Sequence, residues 1–131
     1  VKKGGGHNHR YNLSDEILIK DNHISAEVSL KTLVKKATRT KKWVTVEIEN
    51  IYQLKEINGL KFKRILFDNM NMQQLKKCLK LCKNKYQTEY SGNANLKNIK
   101  NISKIGINRI SVGAITHSAK SFDTSLRFKD N

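Results

Sequence analysis

Cysteine is scarce in this 131-residue chain, which contains two. Cys78 and Cys82 lie four residues apart, on one face of a helix predicted over residues 73–83. Two cysteines without further ones do not make a disulfide framework or a cysteine-based zinc site. We therefore interpret both as small, partly buried apolar side chains in a protein of a reducing, cytoplasmic compartment.

Long apolar runs and acidic residues are also lacking. No stretch is long enough to span a bilayer, and the start of the chain carries no signal-peptide pattern, so we expect no membrane partner. Lysine and arginine number 26 against 11 acidic residues, which gives a formal net charge of +15. This excess favours anionic partners, either nucleic acid or small molecules with phosphate or carboxylate groups. The lysines are scattered, which agrees better with solvated helix faces than with a nucleic-acid-binding surface.

What is present is an alternation of short apolar segments and amphipathic helices. Strands are predicted at 17–20, 43–49, 62–68, 86–90 and 109–111, helices at 25–41, 51–58, 73–83 and 96–104, and a short closing piece at 121–126. Such alternation is typical of right-handed βαβ units in a parallel sheet. The predicted fold class is α/β, an incomplete (β/α) barrel of about five parallel strands with outer helices. An open doubly wound sheet is the alternative.

Polar residues follow every predicted strand, at the edge where parallel α/β proteins place their sites. Side-chain alternation puts Thr45, Glu47 and Glu49 on the inner face of the second strand, where an unpaired carboxylate is costly. These acids need cations or a metal, and Arg10 and Lys20 are the candidate partners. The later strand ends contribute Asp68, Glu89, Ser91, Gly92, Ser111, Gly113 and His117.

Two kinds of segment have the composition of an anion site. Three consecutive glycines precede His9 and Arg10, and glycine lets the backbone approach a ligand closely while arginine grips carboxylate or phosphate. The two later segments, Ser91-Gly92 and Ser111-Val112-Gly113, end strands where free N–H groups would cradle a phosphate. The four histidines lack a metal-ligand spacing, but His9 and His117 stand next to these anion sites.

Taken together, these pieces resemble the C-terminal part of the nicotinate-nucleotide pyrophosphorylase (carboxylating) family, also called quinolinate phosphoribosyltransferases. The matching stretches are GGGHNHRYNLSDEILIKDNHI, WVTVEIENIYQLKEI, RILFDNM, EYSG with NLKNI, and RISVGAITHSAKSFDTSL. The resemblance implies a partly open α/β barrel, an obligate dimer and a separate N-terminal sandwich domain. It also implies a reaction of quinolinate with phosphoribosyl pyrophosphate, which gives nicotinate mononucleotide, pyrophosphate and carbon dioxide in NAD biosynthesis.

The resemblance also implies roles for individual residues. Lys20, Glu49 and Asp68 would be catalytic, with Glu49 and Asp68 holding the ribose hydroxyls and a Mg²⁺ ion bound with the pyrophosphate. His9, Arg10 and Lys20 would line the quinolinate and ribose region. The 5′-phosphate would lie among Ser91, Gly92, Asn93, Ser111, Val112, Gly113 and His117. The usual Ser-Gly-Gly of the family reads Ser-Gly-Asn here, and asparagine tolerates positive φ better than most residues.

Several alternatives stay open at this point. Residues 1–131 are expected to be the C-terminal portion of the barrel domain, without the sandwich domain, the first barrel strands and a Thr-Arg-Lys-Thr segment that supplies further cations. The chain on its own is then expected to be inactive. The other hypotheses are a non-catalytic remnant of the family, a sister enzyme that uses nicotinate, and a basic nucleic-acid-binding module.

Overall fold

The computed structural model describes residues 1–10, 12, 14–24 and 29–128. Five strands form one parallel sheet in the order of the chain, and the strands are β1 Glu16–Ile19, β2 Trp43–Ile48, β3 Arg64–Asp68, β4 Gln87–Ser91 and β5 Arg109–Ile110. The helices are α1 Leu30–Ala37, α2 Ile51–Ile57, α3 Met72–Cys82, α4 Ile99–Ser103 and α5 Ala114–His117. Single turns of 3-10 helix occur at Lys2–Gly4 and Asp21–His23. Within the described ranges, every helix is too short or too polar to span a bilayer.

The sequential strand order settles the architecture. Each strand pairs in parallel with the next one along the chain, and the described residues show no pairing between β1 and β5. A doubly wound sheet would reverse its strand order part-way across, whereas a (β/α) barrel runs in sequence. The prediction of an incomplete, unclosed barrel is therefore confirmed, and the doubly wound alternative is wrong.

The hydrophobic core lies between the outer face of the sheet and the helices. Val46 and Ile48 of β2 stand beside Ile65 and Phe67 of β3, and all four side chains are fully buried. They belong to one apolar cluster with α1, α2 and α3 residues, among them Leu30, Val34, Leu54, Ile57, Leu75, Cys78 and Cys82. Both cysteines are buried free thiols, as the sequence predicted. Because strand side chains alternate, this packing sends the other half of the strand residues to the inner face.

Asparagine side chains begin two of the helices directly behind the strand ends. Asn50 accepts hydrogen bonds from the backbone N–H groups of the first turn of α2, and Asn71 does the same for α3. These N-caps satisfy N–H groups that a helix otherwise leaves unpaired. Each cap follows its strand closely, by two residues in β2 and three in β3. The short connections keep polar strand-end residues at the carboxyl edge of the sheet.

Some predicted boundaries shift in the structure. The helix predicted at 25–41 spans Leu30–Ala37, and residues 25–28 lie outside the described residues. The helix predicted at 96–104 begins only at Ile99, because the side chain of Asn95 forms a turn with the N–H groups of Lys97 and Asn98. The predicted closing piece at 121–126 contains neither helix nor strand, and its Phe122 is 91% exposed.

Candidate functional site

The inner face of the sheet carries buried charged side chains, with the apolar Leu66 among them. Thr45 stands beside Arg64 in the register of β2 and β3, and Leu66 stands beside Glu89 in that of β3 and β4. Arg64 and Glu89 are 4% and 1% exposed, which is unusual for ionisable residues. Buried charges of this kind require partners of opposite charge or hydrogen bonds. The charged residues of the inner face form two layers, one below the carboxyl edge of the sheet and one at that edge.

The lower layer, which we call the Arg64 cluster, consists of Glu16, Arg64, Glu89, His9 and Ser111. The Nη1 atom of Arg64 lies 3.4 Å from Glu16 Oε2 and 3.4 Å from Glu89 Oε2. The other oxygen of Glu89, Oε1, lies 3.2 Å from His9 Nε2 and accepts a short hydrogen bond from the Ser111 hydroxyl. The cluster therefore joins β1, β3 and β4 to the N-terminal segment and to the residue after β5.

Opposing effects act on the pKa of the Glu89 carboxyl. Burial alone raises it, whereas hydrogen bonds from His9 and Ser111, together with the charges of His9 and Arg64, lower it. The lowering effects win, so the pKa lies below the ordinary value of a glutamate. Glu89 is therefore an anion at neutral pH despite its burial.

The upper layer lies at the carboxyl edge and consists of Lys20, Glu47, Asp68 and Asp21. Lys20 Nζ lies 3.6 Å from Glu47 Oε2, which confirms Lys20 as a partner of the inward acids. Burial raises the pKa of Glu47; Lys20 lowers it, and the charges of Asp68 and Asp21 raise it further, so that the net shift is upward. Lys20 pairs with Glu47, and the charges of two further carboxylates act on the same glutamate, so this edge has capacity for further positive charge.

The residues of the upper layer are suited to bind a metal ion only when a bound substrate supplies further oxygen ligands. Among the described residues, no group of three His, Cys, Asp or Glu side chains is arranged to hold a metal. Magnesium usually binds one or two carboxylates and completes its shell with water and substrate phosphates. Glu47 and Asp68 match that pattern, because both carboxylates lie at the same edge and the charge of Asp68 raises the pKa of Glu47.

Glu49 lies elsewhere. β2 ends at Ile48, one residue earlier than predicted, so the strand alternation does not carry Glu49 onto the inner face. Its side chain is exposed, and its backbone N–H donates to Gln53 Oε1. The structure thus places Glu47, and not Glu49, beside Lys20 and within the field of Asp68. The available sequence signal was position, since Glu47 stands between two apolar residues inside the strand.

The predicted phosphate segments come together at the same edge. Ser91, Gly92, Asn93, Ser111 and Gly113 line one open cleft of about 570 Å³. Gly92 and Asn93 have φ values of 122° and 51°, so Asn93 adopts the positive φ that asparagine tolerates better than most residues. The backbone N–H groups of Gly92 and Asn93 have no hydrogen-bond acceptor in the described part of the chain. Two unpaired donors on a left-handed turn are the arrangement that binds anionic oxygens.

The N-terminal cations lie beside β5. His9 and Arg10 line a cleft of about 710 Å³ together with Ser111, Val112 and Gly113. His117 sits on α5 with its ring against Gly113, and its side chain is exposed. His23 has a different role, because its Nδ1 accepts a hydrogen bond from the Lys20 N–H at 3.0 Å.

Sequence reasoning missed part of this site. Glu16 directly precedes the strand predicted at 17–20, and Arg64 lies inside the one predicted at 62–68. Neither is predicted as a site residue, because lone charged residues are usually exposed. Arg64 lies between Lys63 and Ile65 in the sequence, and only the register with Thr45 and Gln87 shows that it points inward. For Glu89, the sequence predicts a polar residue at a strand end and does not indicate its partners.

Three comparisons with known proteins agree. The family model described as quinolinate phosphoribosyl transferase, C-terminal domain, matches residues 1–127. A probable nicotinate-nucleotide pyrophosphorylase (carboxylating) of Bacillus subtilis is 40% identical over 129 residues, which cover 96% of this chain and 45% of the relative. The chloroplastic nicotinate-nucleotide pyrophosphorylase (carboxylating) of Arabidopsis thaliana is 35% identical over 145 residues, covering 95% of this chain and 42% of the relative.

Solved structures show the same likeness in three dimensions. The crystal structure of NadC from Streptococcus pyogenes superposes with a TM-score of 0.87 at 36% identity, covering 97% of this chain and 46% of that one. The chain therefore spans less than half the length of the relatives it matches. Sequence, strand order and strand-end chemistry point the same way, and the chain belongs to the quinolinate phosphoribosyltransferase family through the C-terminal domain of that family.

Proposed function

We propose that this chain supplies the C-terminal part of the active site of a phosphoribosyltransferase in NAD biosynthesis. The enzyme converts quinolinate and phosphoribosyl pyrophosphate to nicotinate mononucleotide, pyrophosphate and carbon dioxide. The observation that carries the proposal is the carboxyl edge of the sheet. There the acids Glu47 and Asp68 lie on β2 and β3, and the glycine-bearing turns after β4 and β5 form an anion cleft.

The acids suit the sugar. Cleavage of the bond between ribose C1 and pyrophosphate develops positive charge on the sugar ring, and fixed carboxylates stabilise that charge where it appears. Glu47 is preorganised for this task because Lys20 holds it at 3.6 Å. Glu47 and Asp68 are also the residues that would hold a Mg²⁺ ion, which supplies charge neutralisation of the leaving pyrophosphate when bound with the substrate.

The cations suit the ring. Quinolinate carries two carboxylates, and the two cations Arg10 and Lys20 can orient a dicarboxylate so that its ring nitrogen attacks C1. The bond from nitrogen to C1 forms as the bond to pyrophosphate breaks. The bond between ring C2 and its carboxylate then breaks and carbon dioxide leaves. The electron pair stays on C2, where the neighbouring pyridinium nitrogen stabilises it, and C2 takes up a proton from water.

The turns suit the 5′-phosphate. Gly92 and Asn93 offer unpaired N–H groups. Ser91, Gly113 and His117 lie at or beside the same cleft. Ser111 contributes differently, because its hydroxyl donates to Glu89 and its backbone N–H donates to Tyr90 O at 2.9 Å, so both of its donors are already in use.

We further propose a homodimer in the cytoplasm as the working form. The cations described here number fewer than the anionic groups of the two substrates, so additional positive groups from the rest of the enzyme or from a partner subunit complete the site. No membrane and no nucleic acid take part in this proposal.

The test is a chimera in which residues 1–127 replace the matching part of the Bacillus subtilis relative. We expect it to form nicotinate mononucleotide from quinolinate and phosphoribosyl pyrophosphate. Glu47→Gln should lower kcat about tenfold or more, since it removes one charge that stabilises the transition state. Glu49→Gln is the matched control, two residues away and exposed, and should leave kcat within about twofold.

Two outcomes would count against the proposal. A folded chimera without product would reject the reaction for this chain. Equal losses in the two variants, or a loss confined to Glu49→Gln, would reject the role of Glu47 and restore the sequence-based choice of Glu49.

A further inference from the structure

The Arg64 cluster lies below the carboxyl edge, and the reaction described above uses none of its three buried charges. Arg64 Nε and Glu89 Oε2 are buried and have no hydrogen-bond partner among the described residues. The 3.4 Å contact between Arg64 and Glu89 is therefore an ion pair without a hydrogen bond to that oxygen. Apolar side chains of similar volume would serve stability equally well or better than such a cluster. A role in holding something else in place accounts for it.

Glu89 holds two groups that lie in the candidate substrate cleft. Its Oε1 receives His9 Nε2 at 3.2 Å and the hydroxyl of Ser111. His9 belongs to the N-terminal segment and is 38% exposed at its side chain, whereas Glu89 is 1% exposed. The buried carboxylate of Glu89 thus contacts the Nε2 side of the His9 ring, and the other side of the ring is open to the cleft.

Arg64 fixes the direction of the hydrogen bond between His9 and Glu89. It lies between Glu16 and Glu89, and its charge helps to keep Glu89 ionised, so Glu89 can only accept hydrogen bonds. The His9 nitrogen that faces Glu89 must then carry a proton. The second ring nitrogen, Nδ1, is the one left to meet a ligand.

We propose that Glu89, supported by Arg64, is a positioning residue that fixes the ring of His9 with Nε2–H turned inward and Nδ1 presented to the substrate. This inference rests on the proposed function, because it concerns how His9 meets the quinolinate and ribose region. It also assigns Ser111 to the same support and not to phosphate binding through its hydroxyl.

The experiment is nitrogen NMR of the imidazole rings in the 131-residue chain without ligand. We expect His9 to show a proton fixed on Nε2. Glu89→Gln should release it, giving a mixture of ring tautomers, because an amide can also offer a donor to that nitrogen. His23 is an internal control, since its Nδ1 accepts from the Lys20 backbone and its ring signals should stay unchanged.

Glu56→Gln provides a matched control for the substitution. Glu56 is exposed and accepts a hydrogen bond from the Lys31 N–H outside the inner face. It should leave the His9 signals as they are. Arg64→Met should release His9 as Glu89→Gln does, whereas Arg64→Lys should restore part of the fixed state. The measurement on the unchanged chain decides the matter even where a variant fails to fold: a freely exchanging His9 ring would overturn the proposal.

A second arm connects positioning to binding. Quinolinate added to the chimera described above, in which the site is complete, should shift the His9 signals, and Glu89→Gln should weaken that binding about tenfold with no change for Glu56→Gln. A fixed His9 ring in a folded chimera that does not bind quinolinate would leave the positioning role standing and reject the proposed function. A released ring with unchanged quinolinate affinity would reject the positioning role.

Discussion

At the scale of single residues, Gly92 is the most constrained position of the anion cleft. A Cβ atom there would lie 2.4 Å from Asn69 Oδ1 and 2.8 Å from the Asn69 backbone N, at a φ of 122°. Gly92→Ala should therefore cost about 2–3 kcal/mol, through the clash and the strained φ together. Urea unfolding measures the loss.

Gly59→Ala is the control for this change. Gly59 also has a positive φ, 92°, but nothing lies within 4 Å of the added Cβ. It should cost only the backbone strain, about 1 kcal/mol. Equal losses at the two glycines would show that the turn after β4 does not press against Asn69.

Glu47 shows how a site residue opposes stability. Its pKa is raised, first by burial, so its contribution to stability is fully present below the pKa of an unfolded glutamate and is lost as pH rises through the folded pKa. Glu47→Gln should therefore stabilise the chain at pH 7 and lose that advantage at pH 4. Unfolding by urea at both pH values checks the sign, and greater stability of the unchanged chain at pH 7 would contradict it.

At the scale of elements, the N-caps connect helix stability to the site. Asn71 accepts from two N–H groups of α3 and exchanges a reciprocal hydrogen bond with Gln74. Asn71→Ala should cost about 1 kcal/mol. Asn101→Ala, at an exposed position inside α4, should be neutral or slightly stabilising because alanine favours helix. Chemical unfolding compares the two, and similar losses would argue against the cap.

Much of the architecture could be predicted from the sequence. The alternation of Val44, Val46 and Ile48 with Thr45 and Glu47 indicates which face of β2 packs against the helices and which one is polar. The parallel sheet follows from the alternation of strands and helices along the chain. The end of β2 could not be predicted, because Glu49 continues the alternation and only the Asn50 cap marks the stop. The Arg64 cluster depends on contacts between residues as far apart as 9 and 89, which local periodicity does not report.

At the scale of the whole molecule, the open sheet and the C-terminal segment predict self-association. β1 and β5 are edge strands, and Phe122, Leu126 and Phe128 are 85–91% exposed. Unpaired edges and exposed apolar side chains favour contact between copies. We expect the sedimentation coefficient of the chain to rise with concentration.

Variants separate the segment from other exposed apolar residues. Replacing Phe122, Leu126 and Phe128 with serine should reduce the association. Serine at Tyr52 and Leu96, which are 76% and 94% exposed on other parts of the surface, should leave it unchanged. A monomer at all concentrations, or equal effects of both sets, would contradict this prediction.

The sequential strand order has one further consequence. The sheet is an open arc in which each strand pairs only with its neighbours in the chain, so β1 and β5 are two separate edges. A strand can be added at either edge without breaking an existing pair. The arc is thus suited to complementation in trans. A separately expressed polypeptide with the remaining strands of a relative could dock along β1 and β5, and the division of one catalytic centre between two chains would then need no change in the half described here.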